Sequence, residues 1–558
     1  MLRFSMAHRW VVVLACVLVI ASIVPLFKFV GKNFLPVDDQ SQFEVTVRAP
    51  EGATLAATSA LVERIAADIH RLPGVTDTLV TIGSGQQQTV NLASVYVKLT
   101  DVRDRKESQL DLMGRARALL QNYPQELRTS VQPVAAISGG GFRNSDIQFV
   151  IGGPDLQKLT EYSQQLLEKM KTVPDVVDVD STLIVGKPEV QVHIDRARAA
   201  DLGVKVGDIA QALNVLIAGQ KVSTFNEGTD QYDVRVRAIA QSRTSPGALA
   251  NLFVQSSKVG WTNLSNLVHT EEGTGPSAID RLNRQRQVTL MANVKPGGSQ
   301  AAVIDQMNQF VKELNVDPTY TTGLAGRSKE LGRTGYYFAL AFLLSFVFMY
   351  MILAAQFESF IHPVTILLTL PLAIPFGILS LLLTGQTVNI FSGLGLLLLF
   401  GVVKKNAILQ IDHTNELRSH GMERLEAIVQ ANRDRLRPIL MTTIALVAGM
   451  IPLILGSGAG AATNRSIGVL VVGGQSLCLL LTLLAVPVFY SLFEDAKDAR
   501  AWSYVGTGFN NFKGGAGRRA AEAYASLAAF ITRRPKATGD TLSRRKQKDR
   551  YADQASGD

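Results

Sequence analysis

The chain runs to 558 residues, 47% of them hydrophobic and 18% charged, which is too long for one domain and too apolar for an ordinary soluble enzyme. A net charge of +9 would suit nucleic acid, yet much of it sits in one carboxy-terminal stretch, from Lys513 through Arg533 and Arg534 to Arg550. Beside a membrane span such a stretch marks a cytoplasmic side and anionic lipid, so membrane lipid is the expected partner and nucleic acid is not. Two cysteines, Cys16 and Cys478, both lie in apolar runs, and the seven histidines are scattered, which leaves no disulfide framework and no metal-ligand spacing.

In chain order, the first apolar run is Val11 to Phe29, preceded by Arg3, His8 and Arg9. A signal peptide begins similarly, but no small-residue cleavage site follows, so residues 1–30 read as a retained span. A polar stretch then extends from Gly31 to about Arg333. Within it Phe43–Ala49 alternates as a strand, Leu55–Ile69 is an amphipathic helix, and Pro73-Gly74-Val75-Thr76-Asp77 opens a second strand; Asn91–Leu99 and Ser108–Leu120 add a strand and a helix. The pattern returns with Ile147–Ile151, Leu156–Met170, Pro174-Asp175-Val176-Val177-Asp178, the strand Glu189–Ile194 and the helix Val206–Leu216. Two βαββα units, over 31–145 and 146–218, predict sheets covered by helices on one face. A less regular block, 219–285, reads as an inserted subdomain. Residues 286–333, with strand Gln287–Val294 and helix Ser299–Leu314, return to the second unit.

Five further apolar runs fill 334–495: Tyr336–Ala355, Pro363–Leu383, Val388–Ile411, Ile439–Leu455 and Ile467–Phe493. Each is near the ~20 residues that a bilayer requires. Residues 496–558, rich in glycine and arginine, read as a disordered tail. The expected fold is a polytopic α-helical membrane protein with six spans and a large α+β extracytoplasmic domain of repeated βαββα units carrying an insert. Basic residues in the loop Asp412–Arg437, at the amino-terminal cap and in the tail all fall on one side if the spans number six, which checks the count, and that side is cytoplasmic.

The run Val388–Ile411 holds two lysines, Lys404 and Lys405, at its centre. A cation at mid-membrane costs at least ~2.5–3.5 kcal/mol, so such a residue faces a bundle interior, an acidic partner or a water path, or else snorkels to the headgroups. An ion or proton pathway is the default expectation. Adjacent helical residues point about 100° apart, so only one of the two lysines can aim at a given partner. No nucleotide-binding loop, nucleophile triad or metal spacing appears; Gly139-Gly140-Gly141 lacks the Lys-Ser/Thr of a phosphate loop and reads as a hinge.

Four segments carry a resemblance: Asn33-Phe34-Leu35-Pro36 with Asp38 and Asp39; Gln356-Phe357-Glu358-Ser359-Phe360; Lys405-Asn406-Ala407-Ile408-Leu409; and Arg435-Leu436-Arg437-Pro438-Ile439-Leu440-Met441-Thr442-Thr443, followed by Gly458-Ala459-Gly460. Together they resemble the carboxy-terminal half of a resistance-nodulation-division (RND) efflux permease of the hydrophobic and amphiphilic drug-exporting branch, over roughly residues 5 to 495. The resemblance implies a secondary active transporter, driven by protons without a cofactor, in a bacterial inner membrane. Its two α/β units would be porter subdomains and its insert a docking subdomain, on the periplasmic side. It implies a homotrimer of the complete permease working with a periplasmic adaptor and an outer-membrane channel. It also implies a proton relay in which Lys405 is the cation, Arg435 connects to the cytoplasm and Thr442 is a relay hydroxyl. Seven residues are close to two helical turns, so Arg435 and Thr442 share a stripe about 10 Å long. Arg435 also suits a positive-inside anchor, and Thr442 a hydroxyl that bonds back within its helix.

The family's relay requires paired aspartates from the amino-terminal half, and no acidic pair occurs in these apolar runs. The expected partner is therefore that half, in the same gene product or on a separate chain. Lys404 stands where the family usually has a small residue, so Lys404 remains a second candidate for the relay. The loop Gly83-Ser84-Gly85-Gln86-Gln87-Gln88 stands where the family has a switch loop of glycines and phenylalanines; Gly83, Gly85, Gln86, Gln87 and Gln88 are the expected substrate-path residues, with polar tips in place of aromatic ones. Competing expectations are a Sec-type proton-driven half-size subunit, an inactive or assembly-only fragment, and a metal-exporting pump, which the scattered Met113, Met170, Met291 and Met307 disfavour.

Overall fold

The computed structural model describes residues 2–83, 89–124, 126–134, 144–243 and 245–498. The contacts gather into one body over Met1–Val486 and a second from Pro487 onward. Helices α1 (Leu2–Ala7), α2 (Arg9–Ala21) and α3 (Ile23–Phe29) open the chain, and Arg9–Phe29 together form the first helical segment long and apolar enough to cross a membrane.

The first α/β unit comprises β1 (Gln42–Arg48), α4 (Leu55–His70), β2 (Val75–Ile82), β3 (Leu92–Leu99), α5 (Gln109–Leu120) and β4 (Arg128–Pro133). Its strands pair antiparallel in the order β2-β3-β1-β4. Alternation sends Phe43, Val45, Val47, Val95 and Val97 to the face on which Ile65 and Ile69 of α4 and Leu112 of α5 pack. Thr54 caps α4 by accepting from the Ala57 N–H at 3.2 Å, and Ser108 and Asp111 form a capping box on α5. The closing strand β4 is not part of the expected unit. Its sequence, Arg-Thr-Ser-Val-Gln-Pro, carries a single strongly apolar residue, Val131, and gains strand character only from pairing with β1.

The second unit opens with β5 (Ile147–Gly153), α6 (Leu156–Lys171) and β6 (Val176–Ser181). The chain then leaves it for an insert: β7 (Val185–Ile194), α7 (Arg196–Asp201), α8 (Val206–Leu213), the hairpin β8 (Gln220–Glu227) and β9 (Asp230–Val236), β10 (Phe253–Ser256), β11 (Gly260–Asn263) and β12 (Val268–Pro276). The edge strand β13 (Arg281–Leu282) leads back to β14 (Gln285–Val294), α9 (Gln300–Glu313) and β15 (Thr321–Leu324). Here β14 takes the place that β3 holds in the first unit: it lies between β6 and β5, and β15 closes the far edge.

This corrects the expected boundary at 218. The strand and helix assigned to the second unit over 189–216 belong to the insert, because β7 pairs along its length with β12 and α8 contributes Ile209 to a separate core with Val254, Leu264 and Leu267. The insert therefore begins soon after β6, and not at 219. Gly83 ends β2 with φ +72° and donates its N–H to the Leu92 carbonyl at 2.8 Å. The rest of the expected substrate-path loop (Gly85, Gln86, Gln87, Gln88), the triple glycine at 139–141 and the tail beyond residue 498 lie outside the described residues.

Helices α10 (Gly326–Gln356), α11 (Ile361–Leu367), α12 (Leu370–Leu383), α13 (Ile390–Ser419), α14 (Arg424–Leu455) and α15 (Ala461–Asp498) complete the chain. With α11 and α12 counted as one segment, the described residues hold six segments apolar enough to span a membrane. The turn between α10 and α11 places Glu358 at φ +48°. Small residues let α12, α13 and α15 approach closely: a Cβ on Gly473 would collide with the Ser380 side chain, one on Gly474 with Leu399, and one on Gly395 would meet the Ile467 backbone at 3.3 Å.

The segment that follows α3 ties the membrane helices to both α/β units. The Asn33 side chain accepts from the Gln300 N–H at 2.8 Å and donates to the Gly298 carbonyl at 3.2 Å, while its own N–H donates to the Val388 carbonyl ahead of α13. Asp38 accepts from the backbone N–H groups of Gly460 (2.6 Å) and Ala462 (3.1 Å) at the start of α15. Asp39 pairs with Arg105 and accepts from the Gln109 N–H at the start of α5 at 2.9 Å.

Candidate functional site in the membrane helices

Helix α13 is apolar for its first four turns, and Asn389 begins it with a capping box to Ser392. Its exposed residues Leu394, Leu398, Gly401, Lys405, Asp412 and Glu416 stand three, four or seven positions apart and form one stripe. The opposite stripe is buried: Gly395, Leu399, Val403, Asn406, Gln410 and Thr414. Lys405 thus lies on the open stripe, deep within the helix, while Lys404 sits at its flank, half-buried.

Helix α14 packs beside α13 and carries the other two expected relay residues. Arg435 is half-buried, and its Nε is enclosed without a hydrogen-bond partner. The Thr442 hydroxyl donates to the Ile439 carbonyl at 3.1 Å, the back-bond within its own helix. Among the described residues no hydrogen bond or ion pair joins Lys405 to Arg435 or Thr442.

Two features of this region were not expected. Asn406, Gln410, Thr443 and Gln475 are all buried polar side chains among the spans; Gln475 donates to the Thr443 hydroxyl at 3.5 Å, and the side-chain carbonyl oxygens of Gln410 and Gln475 have no partner. At the end of α13 away from the α/β units, His413 meets Glu416 at 2.9 Å and Asp434 of α14 at 3.2 Å. Their sequence signals are a glutamine inside an apolar run and a His-x-x-Glu spacing.

A cavity of about 350 Å³ lies where the two α/β units meet the segment after α3; Phe34, Met113, Asn293, Asp146 and Arg327 are among its walls. Enclosure pushes the Asp146 carboxyl up from its ordinary value, against the Arg327 guanidinium at 3.1 Å and the Val294 N–H at 3.1 Å. Arg327 and Ser328 occupy the first turn of α10, and the Ser328 hydroxyl donates to the Asp146 carbonyl at 3.1 Å and accepts from the Gln148 N–H at 3.0 Å. The start of α10 is thereby bonded to β5.

The family model for the AcrB/AcrD/AcrF family matches residues 1–494. The chain belongs to this family of RND efflux permeases. Among solved structures, a heavy metal efflux pump in two crystal forms superimposes on this family member with TM-scores of 0.78 and 0.75, at 24% identity in each case. The matches cover 88% and 86% of this chain, but 52% and 50% of the other, so the chain spans about half the length of the pump that it resembles. At this identity the likeness is one of fold.

Proposed function

We propose that this chain is the carboxy-terminal half of a proton-driven RND permease that exports drugs or amphiphilic small molecules. The observation that carries the reading is the position of Lys405: a cation at mid-helix on the open stripe of α13, seven residues from Asp412, the nearest acidic residue of that stripe. In that setting it demands a counter-charge. With paired aspartates from the first half docked on the stripe, the lysine neutralises them when they are ionised and releases them when they are protonated, so that a proton becomes a change of helix packing. The basic loop between α13 and α14 supports a cytoplasmic location for that end, and so a periplasmic location for the α/β units. In the same reading these units are porter subdomains, the insert docks on an outer-membrane channel, and the complete permease is an inner-membrane trimer served by a periplasmic adaptor.

The test supplies the first half in cells exposed to ethidium. Lys405→Ala is expected to abolish export at unchanged membrane abundance, and Lys404→Ala to leave most of it. Undiminished export by Lys405→Ala would sink the relay reading.

A second reading, metal export, has the fold of a heavy metal efflux pump in its favour. Against it, Met113, Met170, Met291 and Met307 are buried at 4% exposure or less, all within the α/β units. Among the described residues no group of three or more His, Cys, Asp or Glu side chains is arranged to hold a metal.

A further inference from the structure

His413 bridges two spanning helices, α13 and α14. Its side chain is 17% exposed, whereas Glu416 and Asp434, which flank it, are 57% and 41% exposed. The two carboxylates approach different ring nitrogens, Nδ1 at 2.9 Å and Nε2 at 3.2 Å. A carboxylate only accepts, and a neutral imidazole has a single N–H to give. Both contacts are satisfied together only when the ring carries a proton on each nitrogen. Loss of either proton sets a nitrogen lone pair against a carboxylate and leaves one of the two links unmade. Histidine is also the side chain whose ordinary charge change falls between pH 5 and 8.

The surroundings connect this ring to the site above. His413 lies eight residues beyond Lys405, about 12 Å along α13. The buried polar side chains Asn406 and Gln410 precede it by seven and three positions, and so lead toward it along one side of the helix. Asp434 directly precedes Arg435, and Arg435 and His420 are both near enough to Glu416 to act on its charge. Of the other helices packed on α13, α12 has no charged residue; α15 holds Glu494 and Asp495 in its last turns, and the charges at the same end of α10 and α11 are Glu358, in the turn between them, and His362.

We propose that His413, held between Glu416 and Asp434, is a proton-binding station at the far end of α13, and that its deprotonation loosens α13 from α14. This rests on the proton-antiport reading of Lys405. From the neutral state, the ring takes a proton released at the relay on its bare nitrogen, and the resulting imidazolium gives up the proton on its other nitrogen by the exposed carboxylate to water on that side.

The experiment uses the complete permease, this chain together with the half that supplies the relay carboxylates, in proteoliposomes, with ethidium as cargo. Transport is followed while the pH on the His413 side is varied from about 5.5 to 8.5, the range in which an imidazole titrates, and the opposite side is held constant. The native protein is expected to show an inflection. His413→Gln, which keeps a polar side chain but cannot titrate, should lose that inflection and slow proton-coupled transport by about a hundredfold, the lower end of what a positioned proton-transfer group contributes. A His413→Gln profile like the native one, with Lys405→Ala inactive, overturns the station and leaves the relay standing. An active Lys405→Ala overturns the relay and the station with it. If His413→Gln fails to accumulate in the membrane, Asp434→Asn decides: it keeps the ring and removes one anion, so a displaced inflection supports the station and an unmoved one overturns it.

Discussion

At the scale of single residues, position within a helix separates side chains that look alike in sequence. Lys404 and Lys405 are neighbours, yet one is half-buried at the flank of α13 and the other lies on its open stripe. Periodicity alone showed that the two must diverge, because about 100° separates them, but which one faces outward depended on where α12, α14 and α15 pack. Asp38 and Asp39 were likewise visible as a charged pair after the first span, and their partners were not. Asp38 serves as an anionic cap on the start of α15, where the helix dipole and two free N–H groups favour it. Asp38→Ala is expected to cost about 1–2 kcal/mol, in the range of lost helix caps, and Asp38→Asn less. Thermal unfolding of the purified protein in detergent would measure both.

Single elements were legible wherever their signal was local. The apolar runs form helices long and apolar enough to span a membrane, and the paired Pro-x-Val-x-Asp corners open β2 and β6. The same five-residue pattern then diverges in use: Asp77 makes a surface pair with Lys98 at 3.6 Å, while Asp178 accepts from Arg117 of the first unit at 3.0 Å and from Asn293 at 3.0 Å. The strand now called β7 was also recognised as a strand. It was assigned to the wrong sheet because its partner β12 begins 74 positions beyond its own last residue, Ile194 pairing with Val268, and alternation carries no record of a partner. Crossings between spans depend instead on small residues, and the glycines of α15 are where these helices touch. Gly473→Leu is expected to force α12 and α15 apart and to cost roughly 1–3 kcal/mol or more, as overpacking does. A fall in membrane abundance and in the midpoint of thermal unfolding would register it; unchanged values of both would show that the crossing yields freely.

For the whole molecule, the α/β units and the spans differ in completeness. Each unit closes a core of its own, whereas α10 and α14 present large apolar side chains outward, among them Tyr337, Phe348, Met441 and Ile444. Such surface belongs against lipid or another protein. The proposed permease, with its first half docked here, supplies both. The methionines bear on cargo at this scale. Met113, Met170 and Met307 belong to the two α/β cores and Met291 is buried outside them, so in the drug-export reading cells supplied with both halves are expected to gain tolerance to ethidium and not to copper or silver. Growth on graded concentrations of each would decide the matter, and tolerance to the metals alone would move the assignment to metal export.

The bond from Gly460 to Asp38 joins residues 422 positions apart. A ribosome adding roughly 5–20 residues per second needs on the order of 20–80 s to make the intervening chain. Throughout that interval the segment after the first span has its anionic side chain made and its partner not yet synthesised. The closure that joins them therefore waits for the later spans, and it cannot occur until the loop ahead of α15 has emerged on the same side of the membrane as Asp38. A chain whose later spans enter the bilayer in the wrong orientation never brings the two together, so this single contact doubles as a check on topology during assembly.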